Sequence, residues 1–440
     1  MAGHGVFMKR ALVSCGLVLG SIVFTAGCIQ GGGGGDGGAG AAGGGDGGSA
    51  GAGGEGGQGA GGGATTTSTS NGTIDTGSTT GNPPCDAGGA STDDDMDGFS
   101  EVQGDCDDCN PLANPNAIEV ASLPGQLPAD EDCDGQVDEA RAVCDTGLAL
   151  DDASPVNAAK AIDICKQSLG PGDWGLVSAA WVLSDGAAAP ATPEYHLGHG
   201  ILDTFGPNVA VRFGDNLLAL SSGTARRPTD PGYVDINYAK GYQSGQPAGF
   251  PKESPACPGV SSGAPNDSAA LEVSLRAPSN ATGLAFDFSF YTHEFPAWVC
   301  TSFNDLFVAM LAPTPAGQTD GNISFDSMGN TLSVNSAFLE ACGCAAGPPC
   351  SAGGKTYTCA LGTDPLVGNG FGTPQMGGEG GAATGWLTTT APVAAGDTVT
   401  LRFAIHDSAD GILDSTVLTD NFRFLGEGAP FVQTVPVQDQ

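Results

Sequence analysis

The chain has 440 residues and a formal net charge of -35, with 49 acidic against 14 basic side chains. This excess of negative charge repels nucleic acids and anionic lipid headgroups, and it attracts divalent cations. Composition therefore excludes an electrostatic nucleic-acid binder and leaves cations, or neutral and cationic surfaces, as partners.

The N-terminal residues have the pattern of a secretory signal peptide. Basic residues precede the apolar run 11–24, which ends in small residues before Cys28. This ending resembles the lipobox of bacterial lipoproteins, and the resemblance implies cleavage before Cys28 and acylation of that residue. The alternative is ordinary cleavage after the small residues, which would secrete the protein. Because the run is shorter than the roughly 18 residues of a membrane-spanning helix, we predict a lipoprotein signal peptide over residues 1–28, which anchors the protein at the outer membrane or cell surface.

Residues 29–84 consist mainly of Gly, Ala, Thr and Ser. Such a composition cannot bury enough apolar surface to offset the entropy lost on folding. We therefore predict a disordered linker that holds a domain roughly 40 Å from a lipid surface.

Residues 85–140 are predicted to form an Asp/Cys-rich metal-binding segment. Two runs of the form Asp-Xaa-Asp-Xaa-Asp-Gly begin at Asp93 and Asp130, and no Lys, Arg or His lies between residues 93 and 139. Carboxylates at this density repel one another, so folding requires a bound cation. Alternating oxygen ligands followed by a turn glycine are typical of calcium loops. The predicted ligands are Asp93, Asp95, Asp97, Asp105, Asp107, Asp108, Asp130, Asp132, Asp134 and Asp138.

The same segment resembles the metal-binding repeats first associated with copper-binding bacterial surface proteins. The matching stretches are Asp105–Asp108, Asp132–Gly135 and the proline-rich spacer Asn114–Ala117. The resemblance implies a metal site. Copper prefers imidazole and sulfur ligands, whereas this segment offers carboxylates, so we expect calcium rather than copper.

Twelve of the 14 cysteines remain once Cys15 of the signal peptide and Cys28 are set aside. An even number in an exported chain predicts disulfides. Zinc is the competing interpretation of the CxxC pair Cys106 and Cys109, but a structural zinc site needs a second pair of Cys or His ligands, and none with His is near.

Residues 141–428 have the composition of a globular domain. One helix is predicted over Pro155–Leu169, with Ser154 as its N-cap and Gly170 as its end. Its last inward turn would bring Cys165 back to the strand that enters the helix, so we predict a disulfide between Cys144 and Cys165.

Elsewhere the hydrophobic period is two, which predicts strands that each bury one face. The predicted strands are Leu271–Leu275, Leu284–Tyr291, Leu306–Leu311, Val399–His406 and Val417–Phe424. The predicted fold class is mainly β, a jelly-roll-like β-sandwich with one N-terminal helix. Residues 429–440 are predicted to be a C-terminal tail.

Several stretches of this domain resemble the choice-of-anchor L domain of bacterial surface proteins. They include Phe303–Phe307, Gly385–Thr390, Asp410–Ser415 and Asp420–Phe422, within a resemblance that covers residues 143–426. It implies an exported protein held at the surface by one of several interchangeable anchors. Because the C-terminal residues include no apolar sorting tail, we expect the anchor to be the N-terminal lipid.

Acidic residues at the predicted strand ends form a second candidate metal site, made of Glu294, Asp305, Asp407, Asp410 and Asp414. The alternative is that they accept hydrogen bonds from backbone amides in turns. Likewise, four tryptophans are candidates for stacking on a sugar or for ordinary core packing, namely Trp174, Trp181, Trp298 and Trp386.

Two short motifs with catalytic or metal-binding counterparts are rejected. Gly259–Gly263 matches GxSxG, but its flanks are polar and broken by proline, so they lack the strand and helix of a nucleophile elbow. His196–His199 lacks a third metal ligand. We conclude that the protein is not an enzyme and that its β-sandwich binds or displays, with an extracellular glycan or protein as partner. The alternatives are a carbohydrate-binding adhesin and a secreted hydrolase.

Overall fold

A computed structural model describes residues 89–372 and 380–437. The predicted signal peptide, Cys28 and the linker lie outside these residues. No helix among the described residues is long and apolar enough to cross a membrane.

The described residues form short helices and many strands. The helices are α1 (Pro155–Lys160) and α2 (Pro193–Leu197), with 3-10 turns at Glu101–Gln103 and Asp364–Leu366. The first strands are β1 (Gly175–Val182), β2 (His199–Leu202), β3 (Leu217–Ser221), β4 (Pro265–Arg276), β5 (Gly283–Thr292), β6 (Leu306–Ala312), β7 (Leu332–Ser333) and β8 (Ala341–Cys342). The remaining strands are β9 (Cys350–Ala352), β10 (Lys355–Tyr357), β11 (Ala382–Ala383), β12 (Leu387–Pro392), β13 (Thr398–Ser408), β14 (Ser415–Leu425) and β15 (Gln433–Pro436).

The strands form two antiparallel sheets, which confirms the predicted β-sandwich. One sheet has the order β1-β4-β13-β6-β7, and the other has eight strands with the main order β15-β12-β5-β14-β3-β2. Strand β11 joins the second sheet beside β5 and β8, and β9 and β10 form a separate hairpin. Aromatic pairs connect the sheets, since Phe286 packs against Phe403 at 4.9 Å and Phe288 against Phe307 at 5.0 Å between ring centroids. All five predicted strands are present within longer observed ones.

Strand β5 departs from the prediction that each strand buries one face, because all ten of its residues are buried. One face belongs to the core between the sheets. The other face carries Tyr291, which packs against Phe205 at 5.0 Å and Phe371 at 5.4 Å in a second cluster. Loops cover the outer side of the sheet and make β5 a fully buried strand. Alternation of hydrophobic residues along the sequence does not predict whether loops cover the second face.

The predicted helix over Pro155–Leu169 is wrong in length. The cap is as predicted, since Ser154 Oγ accepts a hydrogen bond from the Asn157 amide at 3.3 Å, but α1 ends at Lys160. Asp163 has a φ of +71°, which a helix does not tolerate. The backbone beyond it pairs with the edge of β1 instead, so Leu169 is 93% exposed rather than inward-facing.

Disulfides cross-link several segments of the described residues. Cys144 and Cys165 are joined, with their Cα atoms 5.5 Å apart, even though the intervening helix is short. The other pairs are Cys106–Cys133, Cys257–Cys300, Cys342–Cys359 and Cys344–Cys350, and Cys109 is also disulfide-bonded. Cys106 and Cys109 are therefore not zinc thiolates.

The C-terminal stretch is not a free tail throughout. Strand β15 pairs with β12 in register Leu387–Pro436 to Thr390–Gln433, so it closes one edge of the larger sheet. Residues 438–440 lie outside the described part.

Candidate metal centre

The first acidic loop is folded around its own carboxylates. Asp93 Oδ1 accepts a hydrogen bond from the Met96 amide at 2.7 Å, and Asp93 Oδ2 accepts one from the Gly98 amide at 3.0 Å. Asp95 Oδ1 accepts from the Asp97 amide at 3.1 Å. Gly98 has a φ of +105°, which explains why glycine stands at this point of the turn.

Two downstream carboxylates complete this loop. Ligand oxygens of Asp93, Asp95 and Asp108 lie within 4.8 Å of one another, and so do those of Asp95, Asp97 and Asp105. Asp95 Oδ2 and Asp105 Oδ2 are buried without a hydrogen-bond partner. Burial, and then the neighbouring carboxylates, raise the pKa of Asp95 and Asp105. The loop thus concentrates five carboxylates around a small space, and two of their oxygens have no hydrogen-bond donor.

The second acidic loop repeats the geometry of the first. Asp130 Oδ1 accepts from the Asp134 amide at 3.1 Å, Asp130 Oδ2 accepts from the Gly135 amide at 3.0 Å, and Gly135 has a φ of +91°. Oxygens of Asp130, Asp132 and Asp134 converge within 4.8 Å. Burial raises the pKa of Asp132. The two Asp-Xaa-Asp-Xaa-Asp-Gly runs are therefore structural as well as sequence repeats.

Two glutamates that the sequence did not single out belong to the second loop. Oxygens of Glu119, Asp132 and Glu139 lie within 4.8 Å of one another, and Glu139 Oε2 is buried without a hydrogen-bond partner. Glu119 Oε1 accepts from the Glu131 amide at 3.0 Å, and its Oε2 accepts from the Asp138 amide at 2.8 Å. Glu139 follows Asp130 in the same acidic run and could have been included, whereas nothing in the sequence pairs Glu119 with a run eleven residues downstream.

Two predicted ligands do not converge with the others. The Asp107 side chain is exposed, and its backbone carbonyl accepts from the amides of Cys109 and Asn110. Asp138 Oδ1 accepts from the Ser122 amide at 2.8 Å. Spacing alone did not separate these turn-forming carboxylates from the convergent ones.

The acidic segment is fastened to the β-sandwich through Asn114, which is fully buried. Its Nδ2 donates to Asp97 Oδ2 at 2.7 Å, and its Oδ1 accepts from Ser279 Oγ at 2.7 Å. Next to it, Asn280 Oδ1 accepts from the Ile118 amide at 3.0 Å, and Asn280 Nδ2 donates to the Ile118 carbonyl at 2.8 Å. A single residue, Asn114, thus connects the Asp97 side chain of the first loop to Ser279 in the turn between β4 and β5.

The donor set of both loops fits a hard divalent cation. Every convergent group is a carboxylate, and oxygens of Asp95, Asp105 and Glu139 have no protein donor to stabilise them. Calcium takes six to eight such oxygens, whereas copper and zinc favour nitrogen and sulfur. The residues present therefore suit calcium.

A cleft of about 480 Å³ separates the second acidic loop from the sandwich. Its loop side includes Asp132 and Glu139, and its sandwich side includes Trp174 and Phe424. Trp174 is half-buried, and Lys166 Nζ lies 4.6 Å from its ring centroid.

The other three tryptophans do not form a shared platform with Trp174. Trp181 stacks on His199 with ring centroids 3.8 Å apart, and its Nε1 donates to the Ala153 carbonyl. Trp386 is only 7% exposed and belongs to the second core cluster, and Trp298 packs against Phe303. These three side chains are used in packing.

The second predicted metal site is only partly assembled. Four of its members are buried, namely Glu294, Asp305, Asp407 and Asp414, whereas Asp410 is half-buried in the turn after β13. Glu294 Oε2 accepts from the Asp305 amide at 2.9 Å. Among the described residues, the groups of three or more converging ligands include none of these five carboxylates. The sequence also missed Lys240, a buried ammonium whose pKa burial lowers to about 8 against the opposing effect of Asp407.

Comparison with known proteins found a family match within the sandwich. Residues 220–424 match the family model described as the Choice-of-anchor L domain. No curated protein matches the chain. One solved structure, a carbohydrate-binding module specific for non-crystalline cellulose, is 12% identical, and its alignment covers 60% of this chain and 96% of that chain with a TM-score of 0.19.

Proposed function

Because the chain carries a choice-of-anchor L domain over residues 220–424, we propose that it is an exported, lipid-anchored surface protein whose acidic segment binds calcium. The β-sandwich binds or displays a partner and has no catalytic role. The observation that carries the calcium proposal is the repeated loop, in which carboxylates converge within 4.8 Å and leave buried oxygens without donors. A bound cation would replace the missing donors.

Each loop would hold its own ion. In the first loop the ligands are Asp93, Asp95, Asp97, Asp105 and Asp108. In the second they are Asp130, Asp132, Asp134 and Glu139, with Glu119 in contact. Calcium supplies the positive charge that lets these carboxylates pack closely, and the protein supplies a preformed turn. Modules outside the cell typically bind calcium at about 10⁻⁴ to 10⁻³ M.

The anchor would be Cys28, because small residues, a cysteine and a Gly-rich spacer follow one another in the order that an N-terminal lipid anchor requires. The spacer over residues 29–84 would carry the calcium segment and the sandwich away from the lipid surface.

Calorimetric titration of the purified protein with calcium, magnesium and copper tests the metal proposal. We expect heat with calcium in the wild type and much less heat in the double variant Asp95→Asn, Asp132→Asn. The matched control is Asp107→Asn, which removes an exposed carboxylate outside the convergent set. Tight copper binding with no heat from millimolar calcium would overturn the assignment.

A second candidate function is glycan binding in the cleft beside the second loop. The cleft combines a half-buried tryptophan with carboxylates, and sugars offer an apolar face and hydroxyl groups that suit these two chemistries. On a glycan array we expect Trp174→Ala to lose binding, while the control Phe431→Ala, an exposed aromatic outside the cleft, keeps it. Equal binding by both variants would remove the cleft from consideration, and turnover in an activity screen would favour the hydrolase alternative.

A further inference from the structure

Four carboxyl groups are buried at one end of the β-sandwich. The strand registers define this end, because β13 pairs His406 with Leu306 at the start of β6, and β14 pairs Ser415 with Thr292 at the end of β5. The carboxyl groups that adjoin these strand ends are at most 5% exposed and belong to Glu294, Asp305, Asp407 and Asp414.

Two of the four accept hydrogen bonds that orient their side chains. Asp305 Oδ1 accepts from the Ser408 amide at 3.1 Å, and its Oδ2 accepts from Ser415 Oγ at 2.7 Å. Glu294 Oε2 accepts from the Asp305 amide. These contacts hold both side chains in place, so neither carboxyl group is free to turn towards a ligand.

Asp407 and Asp414 differ from them. Asp407 is fully buried, and neither of its carboxylate oxygens has a hydrogen-bond partner, although Ser222 and Asp305 lie beside it. Asp414 Oδ2 accepts from the Tyr238 amide at 3.0 Å, but its Oδ1 is buried without a partner. Three buried carboxylate oxygens therefore lack any donor, which proteins rarely leave uncompensated.

The backbone turns tightly beside these oxygens. The register of β13 against β4 shifts between Ile405 and Asp407, and such a bulge re-aims a side chain. In the turn that follows, a Cβ on Gly411 would lie 2.6 Å from Asp267 Oδ2 and 3.9 Å from Asp407 Oδ2. Glycine at this position lets the turn close over the carboxylates.

The nearby positive charge is insufficient. Lys240 Nζ donates to the backbone carbonyls of Ser221 and Asp267, at 2.7 Å each, and not to a carboxylate. One ammonium group leaves most of the negative charge of four buried carboxyl groups unbalanced. Burial and neighbouring carboxylates raise the pKa of Asp305 and Asp407 well above the ordinary range, and burial raises that of Asp414 to about 7. Either bound protons or a bound cation must therefore neutralise these buried carboxyl groups.

We propose that a divalent cation of the calcium type binds inside the sandwich between Asp407 and Asp414. Asp407 contributes both oxygens and Asp414 contributes Oδ1, while Glu294 and Asp305 keep their protein hydrogen bonds. Hard carboxylate oxygens select calcium over softer metals. With two protein carboxylates as ligands, backbone carbonyls and water complete the coordination. This site is separate from the acidic segment and does not depend on it.

The test counts calcium in a chain whose acidic loops are disabled. The full chain carrying Asp95→Asn and Asp132→Asn is dialysed against calcium-free buffer, and its metal content is measured by mass spectrometry. We expect one calcium per chain, its loss on adding Asp407→Asn, and its retention on adding Asp410→Asn, which changes the half-buried neighbour. Absence of the ion, or an ion unaffected by Asp407→Asn, would overturn the proposal.

Thermal unfolding separates a cation from shared protons. If a cation binds, stripping calcium with a chelator lowers the Tm of the parent variant, added calcium restores it, and the Tm of the Asp407→Asn variant is unchanged by either treatment. If protons compensate instead, calcium shifts neither Tm, and the proposal is wrong. Should Asp407→Asn fail to fold, Asp414→Asn gives the same comparison, because the substituted amide keeps an oxygen for the Tyr238 hydrogen bond.

Discussion

Replacing Asn114 by alanine should loosen the attachment of the first acidic loop to the sandwich without unfolding the sandwich. The buried side chain makes three hydrogen bonds, donating to Asp97 Oδ2 and accepting from Ser279 Oγ and from the Asn116 amide. The backbone bond from the Asn114 amide to the Glu131 carbonyl remains in the variant. The change therefore removes the link between the first loop and the sandwich specifically.

The magnitude follows from the bond types. Two neutral bonds contribute about 1 kcal/mol each, and the bond to the Asp97 carboxylate contributes about 1.5 kcal/mol or more. Their loss should lower the free energy that holds the segment in place by about 3.5 kcal/mol. Because 1.4 kcal/mol is a factor of ten, the open form should become roughly 300-fold more populated.

Limited proteolysis in the presence of calcium measures this opening. The expected result is roughly 300-fold faster cleavage within the first acidic loop, residues 93–108, of the Asn114→Ala variant, with the sandwich intact. Asn110→Ala is the matched control, because Asn110 accepts only a local bond from the Leu112 amide at 3.3 Å. Equal cleavage rates for the two variants would refute the link through Asn114.

Three further predictions concern other parts of the chain. Replacing Cys144 and Cys165 by alanine opens a loop with a sequence separation of 21 residues, so denaturant unfolding should show a loss of about 3 kcal/mol, and an unchanged midpoint would contradict the role of this disulfide. With a chelator present, the free energy of unfolding should fall as the pH rises, because burial raises the folded-state pKa of Asp420 from 3.8 to about 9. The stabilising effect of this group is therefore complete below pH 3.8 and is lost towards pH 9. Asp420→Asn should flatten the dependence of the unfolding free energy on pH, and an unchanged dependence would refute the assignment. Cys28→Ala should send the protein into the medium, whereas identical fractionation and no acyl group on wild-type Cys28 would exclude the anchor.

The sandwich could be predicted from the sequence because hydrophobic and polar residues alternate along its strands. In β13, Val399, Leu401 and Phe403 face the core while Thr400 and Arg402 do not, and this local signal predicted the strand. The length of α1 could not be predicted, because the residues after Asp163 exchange helical hydrogen bonds for pairing with the edge of β1, which helical periodicity does not signal. The second buried face of β5 arises instead from long-range packing, since Tyr291 contacts Phe205 and Phe371.

The acidic loops were predicted from their local spacing, and the structure brings most of those residues together. Asp95 converges with Asp93 in one group of carboxylates and with Asp97 in another, so alternate residues of this run do supply neighbouring ligands. Glu119 reaches the second loop only through the tertiary fold, so no spacing rule could identify it. The role of Asn114 was equally hidden, since it depends on Ser279, 165 residues away.

Amide hydrogen exchange with and without calcium tests the central claim most directly, because it reports on each loop in the intact protein. The Gly98 amide donates to Asp93 Oδ2 and the Gly135 amide donates to Asp130 Oδ2, so both bonds should be stabilised when the carboxylates hold an ion. We predict that calcium slows exchange at both amides, that copper does not, and that the Asp95→Asn, Asp132→Asn variant loses the effect. Exchange that is unchanged by calcium but slowed by copper would contradict a calcium-binding segment.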